Sequence, residues 1–490
     1  MSKPWCIPGR PLPNGAGWRV WFALEGAGGP PALELRELTS DALVATTVEY
    51  FPIASPPGFD RRIVLADLKL DAPRPGAAFR IAIPELALTG IWSTLPGALT
   101  QDGLAVLLAS CFYFQDDKTG HYANAVDKLL RGVTPRAAFK ILMGDQLYLD
   151  WPASPFSGAV AATAERYGLY WGNEAYRRAL FACPNFVVCD DHEFWNNYPE
   201  YQVHLSRSHD QASRDQWGGL AAQYLDAFQL ALQRANPGAS SLGQPWLEIA
   251  VSPVSFFLLD TRSQRRRRDG GAHDRRVISV EQEQALRAWQ QGLTGPGFLV
   301  LGQPPFLPEG DWRDYTLANF RPEFDAIMAI VEDSLHGRNA EGRAHDIVLV
   351  SGDIHTARHV RAGVAGLGDR KLHELVTSPA SRVGPHTSSP EPESPPGRLE
   401  GRRPDGTAMR WTPEGRPGVE RMQFAHVDNN VALLTLRRST VNTYGVEARF
   451  AVYRVRPAQQ PFWKFWADDA PDPGANPGTM LMYETTLYLE

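Results

Sequence analysis

The residues best suited to chemistry lie in four short motifs, each directly after an apolar run. The motifs are Ala109-Ser110-Cys111, Gly144-Asp145-Gln146-Leu147-Tyr148, Asp190-Asp191-His192-Glu193 and Ser351-Gly352-Asp353-Ile354-His355. The preceding runs are rich in Val, Ile, Leu or Phe, as buried strands are, and span 104–108, 139–143, 185–189 and 347–350. Ligands gather at the carboxyl ends of strands in layered α/β folds, so the motifs are expected to converge. The pattern predicts one divided metal site in an enzyme.

Asp145 is the strongest single candidate in these motifs. A carboxylate at a strand end can bridge two cations, and the preceding Gly144 permits close backbone approach. Tyr148 lies three residues on, so a tight turn can return its phenolate to the same ion; packing at the rim is the alternative. Together with the thiolate of Cys111, that phenolate favours a ferric ion.

The second ion is expected to have harder ligands. Asp191 and Asp353 supply carboxylate oxygens, and Asn196 or Asn197 can add a carbonyl oxygen. Such a set suits calcium, magnesium or manganese. Asp190 is expected to orient a ligand instead of binding the ion.

The order of the motifs carries a family resemblance. Along the chain come Ala-Ser-Cys, Gly-Asp-x-x-Tyr, Asp-Asp-His-Glu with Asn196-Asn197 after it, Asp260-Thr261-Arg262, Leu301-Gly302-Gln303 and Ser-Gly-Asp-x-His. Over roughly residues 101 to 385, this order resembles the alkaline phosphatase D-type (PhoD-like) metallophosphoesterases of the calcineurin-like phosphoesterase superfamily. The resemblance implies an α/β fold, with a four-layer α/β/β/α metallophosphoesterase core and an amino-terminal β-sandwich domain.

The resemblance also implies two or more bound metal ions, Fe³⁺ together with Ca²⁺, or with Mn²⁺ or Mg²⁺ at the harder site. The iron site would be held by Cys111, Asp145, Tyr148 and His355, and the harder site by Asp145, Asp191, Asp353 and one of Asn196 and Asn197. Gln303 stands where many broader metallophosphoesterases carry a histidine ligand. Glutamine binds ions more weakly, so Gln303 is not among the predicted ligands.

Three residues are assigned to catalysis: Asp145, His192 and Arg262. His192 lies where metallophosphoesterases place a histidine beside the phosphate, and an imidazole can donate a proton near neutral pH, so it is the predicted general acid. The planar fork of Arg262 can clamp phosphate oxygens, with structural pairing to an acid as the alternative. The arginine run 265–268 is expected to form a solvated loop, with attraction of the substrate as the alternative.

The predicted activity is metal-dependent phosphoester hydrolysis by a phosphatase or phosphodiesterase. Two bridged cations would lower the pKa of a water, the resulting hydroxide would attack phosphorus in line, and His192 would assist departure of the alcohol. The expected substrate is a small-molecule or lipid phosphoester, and the sequence leaves monoester and diester open. The rival hypothesis is a phosphate- or phosphoester-binding protein whose metal site is structural.

Composition limits the remaining possibilities. The chain has 490 residues, 43% hydrophobic residues and a formal net charge of -6, so no global basic character indicates a nucleic-acid partner. Its four cysteines do not have the density of a disulfide scaffold. No apolar run approaches the ~18 residues of a membrane span, and the amino terminus as given lacks a signal core, so a cytoplasmic location is expected, with export as the alternative if a leader is missing. The oligomeric state is left open.

Two domains are expected. Residues 1–100 contain short strand-like segments between Pro and Gly clusters, which predicts a small β-sandwich. Residues 101–490 form the predicted catalytic domain, in which strands alternate with helical patterns at 122–130, 174–181, 217–233, 280–292 and 321–335. A Pro- and Gly-rich stretch at 384–419 is expected to be a long loop, either a lid over the site or a solvated insertion.

Overall fold

The computed structural model describes residues 3–151, 158–203, 205–240, 242–267, 276–310, 315–381, 392–440, 445–456 and 477–490. The strands in this part of the chain are β1 Trp5–Pro11, β2 Gly17–Leu24, β3 Glu34–Glu37, β4 Thr46–Ile53, β5 Arg62–Leu70, β6 Ala78–Ile83, β7 Leu88–Ser93, β8 Leu104–Ala109, β9 Ala137–Met143, β10 Asn185–Val188, β11 Trp246–Val251, β12 Val254–Leu259, β13 Gly297–Val300, β14 Ile347–Ser351, β15 Ala357–Val364, β16 Lys371–Val376, β17 Leu399–Arg402, β18 Ala408–Glu414, β19 Phe424–His426, β20 Asn430–Arg438, β21 Val446–Arg454 and β22 Leu481–Leu489. The α-helices there are α1 His121–Gly132, α2 Ala159–Gly172, α3 Glu174–Phe181, α4 Gln211–Phe228, α5 Val280–Gln291, α6 Arg321–Leu335 and α7 Pro477–Met480.

Two small antiparallel sheets form the amino-terminal part. One has the order β1-β2-β5-β4 and the other β3-β6-β7. Both faces of β2 are buried: Val20 and Phe22 pack between the two sheets, whereas Trp21 packs on the helices of the catalytic part. The Trp21 indole N–H also donates to the carbonyl of Ala227 at 2.7 Å, so this sheet is fixed to the helical layer.

Two larger sheets pack face to face in the catalytic part. Their strand orders are β10-β9-β8-β20-β21-β22 and β11-β12-β13-β14-β16-β15-β18-β17, with β19 pairing with β15. Strands β8, β9 and β10 are parallel to one another, as are β12, β13, β14 and β16. A shared apolar core between the sheets includes Val106, Ile141, Phe256 and Val348.

Helices cover both outer faces of this sandwich. Helices α1 to α4 pack on the first sheet around Leu107 and Leu180, while α5 and α6 pack on the second around Leu299 and Ile330. The predicted α/β class and the four-layer core with a β-rich amino-terminal part are therefore confirmed. Because β8, β9, β10 and β14 are buried on both faces, their sequences are mainly apolar, with buried polar exceptions such as Lys140 in β9 and Asn185 in β10, and this made them predictable.

The loop predicted at 384–419 is wrong where β17 and β18 lie. Positions 384–391 lie outside the described residues, and the two strands within the remainder join the larger sheet. In β18 buried and exposed residues alternate, and Trp411 is fully buried near Phe324, with ring centroids 6.4 Å apart at 90°. Pro413 is itself one of the buried positions, and the glycines, prolines and arginines around this strand concealed the alternation. The division at residue 100 stays a prediction.

None of the helices that the structure describes is both long enough and apolar enough to span a membrane.

Candidate metal centre

The strand ends that carry the motifs have unusual backbone conformations. Nine non-glycine residues in the described ranges have positive φ, and five of them are predicted ligands: Cys111 (54°), Asp145 (53°), Asn197 (58°), Asp353 (68°) and His355 (48°). This conformation costs on the order of 1–3 kcal/mol per residue and is concentrated at functional sites. The surrounding fold therefore holds these side chains in orientations that ordinary strand or helix backbone does not give.

Glycines allow the motif-bearing loops to approach one another. Gly144 has φ +81°, and a Cβ there would lie 2.4 Å from the Cβ of Asp190. At Gly352 a Cβ would lie 2.4 Å from the Cβ of Ser110. Since real Cβ atoms do not approach so closely, the absence of a side chain at both positions lets carboxylates from different strands share one site.

The first donor cluster contains Cys111, Asp145 and His355, whose ligand atoms all lie within 4.8 Å of one another. The Cys111 Sγ is 3.4 Å from Asp145 Oδ2. Tyr148 joins this cluster, because its phenolic oxygen is 2.9 Å from His355 Nε2. The Ser378 hydroxyl donates to Cys111 Sγ at 3.1 Å and accepts from the His355 N–H at 3.0 Å, which fixes both donors.

Burial disfavours the charged forms of the thiol and the phenol at this first cluster. Burial and the nearby Asp145 raise the pKa of the Cys111 thiol well above its usual value, although hydrogen bonds from Ser110 and Ser378 oppose the shift. Burial likewise raises the pKa of the Tyr148 phenol, with Cys111 and Asp145 adding to the effect. A bound cation would reverse both shifts by stabilising the thiolate and the phenolate.

Two further clusters continue from the first. Asp145, Asp191 and His192 form one, and Asp190, Asp191 and Asp353 form the other, so Asp145 and Asp191 each belong to two clusters. Asp190 Oδ2 and Asp191 Oδ1 are buried and have no hydrogen-bond partner among the described residues. Because buried carboxylate oxygens require partners, these atoms together with the thiol, imidazole and phenol fit a set of bound cations.

Asp150 is a functional candidate that sequence reasoning missed. Its Oδ1 lies 2.7 Å from His192 Nδ1, and its Oδ2 accepts the Asn196 N–H at 2.9 Å. Burial alone would lower the pKa of His192, but the carboxylates of Asp150, Asp191 and Asp145 raise it well above the usual value. The signal available in the sequence was an isolated carboxylate at the end of the apolar segment 147–149.

A family model described as PhoD-like phosphatase matches residues 104–416, which is more than half of the chain. The chain belongs to the PhoD-like phosphatase family. A solved structure of PhoD has the same fold, with a TM-score of 0.61 and 15% identity over 93% of this chain and 87% of that one. Comparison with curated proteins finds no match. The resemblance found in the sequence is confirmed, and the chain is an alkaline phosphatase D-like phosphoric ester hydrolase.

PhoD-like phosphatases are metalloenzymes, and the three donor clusters are where this one can hold ions. The structure places two predicted ligands at the edge of these clusters. Asn197 Oδ1 accepts the Tyr315 N–H at 3.0 Å, while the Asn197 N–H donates to Asp191 Oδ2. Asn196 contributes its backbone N–H to Asp150 and has a half-buried side chain. Their roles as ligands stay predictions.

Gln303 contacts one of the candidate ligands of this phosphatase, Asp353. Its Nε2 donates to Asp353 Oδ2 at 3.0 Å. That hydrogen bond orients a carboxylate of the third cluster, whose other members are Asp190 and Asp191. Asp190, expected only to orient a ligand, is thus placed among the possible ligands, and burial raises its pKa to about 7 against the opposing charge of Arg262.

Glu193 connects three parts of the site and was not given this role by sequence reasoning. Its Oε2 accepts the N–H groups of Asp145 and Asp190, both at 2.9 Å, and its Oε1 accepts the Gln146 N–H at 2.6 Å and the Gln229 Nε2 at 3.3 Å. Burial raises the pKa of Glu193 to about 7, although these hydrogen bonds favour the charged form. Glu193 therefore holds the two carboxylate-bearing loops together.

Arg262 pairs with an acidic residue, which is the structural role that the sequence left open as the alternative to binding phosphate. Its Nε donates to Asp190 Oδ1 at 2.6 Å and its side chain is fully buried, as is that of Asp190. A direct phosphate clamp by Arg262 stays a prediction.

The expectation of a solvated loop at 265–268 is wrong for Arg265, which is 3% exposed and donates to Gln303 Oε1 at 3.4 Å. Arg268 lies outside the described residues.

Proposed function

We propose that this phosphatase cleaves phosphoesters at cations held by the three donor clusters. The observation that carries the proposal is the sharing of Asp145 and Asp191 between clusters, because it couples a thiol-containing site to a carboxylate site. Bound cations would supply Lewis-acid polarisation of the phosphoryl oxygens and an activated water. The protein supplies the arrangement of ligands and the proton for the leaving group.

His192 is the proposed proton donor. Its Nδ1 faces Asp150 Oδ1 at 2.7 Å, so the Asp150 carboxylate fixes the ring and leaves the second proton of the imidazolium on Nε2. Tyr148 packs against the ring, with centroids 4.1 Å apart, and restricts its rotation further. Transfer of the Nε2 proton to the departing oxygen avoids formation of an unprotonated alkoxide.

The proposed ions are Fe³⁺ in the cluster of Cys111, Asp145, Tyr148 and His355, and Ca²⁺, Mn²⁺ or Mg²⁺ in the carboxylate cluster. Thiol, phenol and imidazole donors favour the first assignment, and the all-carboxylate third cluster favours the second. A ferric ion with such donors gives a visible charge-transfer band, which Tyr148→Phe would shift. Fully active, colourless protein without iron would contradict the ferric assignment.

Hydrolysis of nitrophenyl phosphate and of bis-nitrophenyl phosphate by metal-loaded protein tests the proposed function and separates monoesters from diesters. His192→Ala is expected to lower turnover by roughly 10²–10⁴-fold with unchanged metal content by elemental analysis. Asp150→Asn, which keeps the imidazole but removes its anionic partner, is expected to have a smaller effect. Loss of metal in His192→Ala would make His192 a ligand, and failure to hydrolyse either ester would refute the proposal.

A further inference from the structure

An arginine-lined groove lies beside the metal centre. It has a volume of about 550 Å³ and lies between the loop after β12 and the first half of α4. The side chains that matter for its chemistry are Tyr198, Arg214, Asp215, Arg265, Arg266 and Arg267. Four of these six residues are cationic and one is anionic, in a chain whose formal net charge is -6. Positive charge is therefore concentrated here against the overall balance of the protein.

The wall of the groove is continuous with the metal centre. The Tyr198 carbonyl accepts from Arg262 at 3.2 Å, and Arg262 in turn donates to Asp190. On the other side, Arg265 donates to Gln303, which donates to Asp353. The loops that contribute Tyr198 and Arg265 follow β10 and β12, whose carboxyl ends lie at the edge where the donor clusters form.

The arginines differ in how far they are already engaged. Arg265 is buried and donates to backbone carbonyls as well as to Gln303, so it stabilises the loop. Arg214 donates to the Ser208 carbonyl at 2.8 Å. Arg267 is at the long distance of 3.9 Å from a carboxylate oxygen of Glu200.

Arg266 is the arginine best placed to bind a ligand. It is exposed, and within the described part of the chain its guanidinium has no hydrogen bond or ion pair. It lies close enough to Tyr198 to lower the pKa of that phenol, against the larger effect of burial, which raises it to about 12. Tyr198 and Arg266 both line the groove, so a hydroxyl donor and a guanidinium are available to one ligand there.

We propose that this groove binds a second phosphoryl group of the substrate, so that the enzyme favours small phosphoesters carrying two phosphoryl groups. Guanidinium groups match phosphate oxygens in geometry and charge, which makes an arginine-lined groove selective for a phosphoryl dianion over a neutral substituent. The inference rests on the proposed function, because the first phosphoester is cleaved at the metal centre, from which Arg262 alone separates the Tyr198 wall of the groove.

The test compares kcat/KM for matched pairs on the metal-loaded full chain. Glucose 1,6-bisphosphate is compared with glucose 6-phosphate, and adenosine 3′,5′-bisphosphate with adenosine 5′-phosphate. The effect of the second phosphoryl group is thus measured once on a sugar and once on a nucleoside. The bisphosphate is expected to be favoured by about tenfold or more in at least one pair, and Arg266→Glu to abolish the preference. Arg287→Glu, which changes an exposed arginine on α5, is the charge-matched control and keeps the ratio.

The groove proposal is overturned if the parent does not prefer the bisphosphate. It is also overturned if Arg266→Glu keeps the parent's ratio of kcat/KM for the bisphosphate to kcat/KM for the monophosphate. Neither result affects the proposed hydrolysis. If no sugar or nucleoside phosphate is hydrolysed, the nitrophenyl ester assay decides the proposed function. Titration calorimetry with the same pairs then decides the groove separately: tighter binding of the bisphosphate, lost in Arg266→Glu, supports it, and equal binding refutes it. Thermal unfolding verifies that both variants fold.

Discussion

Asp145 shows how much a single residue could be predicted. Its place after a buried strand marked it as a shared ligand, and the structure puts it in two donor clusters. Asp150 was not predicted, because its role depends on a contact with His192, 42 positions further along the chain. A candidate ligand that directly follows a buried strand can be predicted from the sequence. A residue whose role depends on a contact with a residue far along the chain cannot.

Glu193 provides a test at the scale of one residue. Glu193→Gln replaces an accepting oxygen by an NH₂ group, which faces N–H donors of the loops carrying Asp145 and Asp190. Each buried donor left without an acceptor costs about 1–3 kcal/mol, so the free energy of unfolding is expected to fall by at least that amount. Chemical denaturation measures it.

The matched control is Glu283→Gln, which affects an exposed pair with Arg287 on α5. Exposed pairs contribute little to stability, so this control is expected to unfold like the parent. Equal unfolding free energies for the Glu193 and Glu283 variants would show that Glu193 does not hold the loops together.

At the scale of elements, strands buried on both faces were predictable and edge strands were not. The run before Ser110 is apolar throughout because β8 lies between a helical layer and the second sheet. In β18 only alternate positions are buried, and glycine, proline and arginine in its surroundings suggested a loop. Helix α2 was also missed, since its apolar residues follow no single narrow stripe.

Trp411 tests whether β18 belongs to the core. The side chain is fully buried between the sheet and α6, so Trp411→Ala is expected to lower the free energy of unfolding by about 3–5 kcal/mol. Arg410→Ala changes the exposed neighbour on the same strand and is expected to have little effect. A Trp411 variant as stable as the Arg410 variant would restore the interpretation of this stretch as a solvated loop.

At the scale of the whole molecule, the buried His359 links the two large sheets and pairs with the half-buried His373. His359 on β15 lies 2.9 Å from the Tyr483 hydroxyl on β22 and 3.0 Å from His373 on β16. Burial lowers the pKa of His359 to about 3, with His373 and Arg361 contributing, and burial lowers that of His373 to about 4. The folded protein therefore favours the neutral form of both rings at neutral pH.

This pair predicts a loss of stability in acid. The unfolded chain takes up protons near pH 6.5 and the folded chain only near the lowered pKa values, so the unfolding free energy falls as pH decreases between them, by up to about 1.4 kcal/mol per pH unit for each histidine. Replacing both histidines by Phe is expected to flatten this dependence. Urea unfolding at about pH 7 and about pH 5 gives the change in unfolding free energy between the two pH values. An equal change in the parent and in the double variant would contradict the prediction.

Metal content measured together with turnover tests the central claim that Asp145 couples two cation sites. The parent is expected to hold two or more ions per chain by elemental analysis and to hydrolyse nitrophenyl phosphate. Asp145→Asn removes the shared charge, so it is expected to lose bound metal and to keep less than about one tenth of the parent turnover. An Asp145→Asn protein that retains its full metal content and most of its activity would contradict the account.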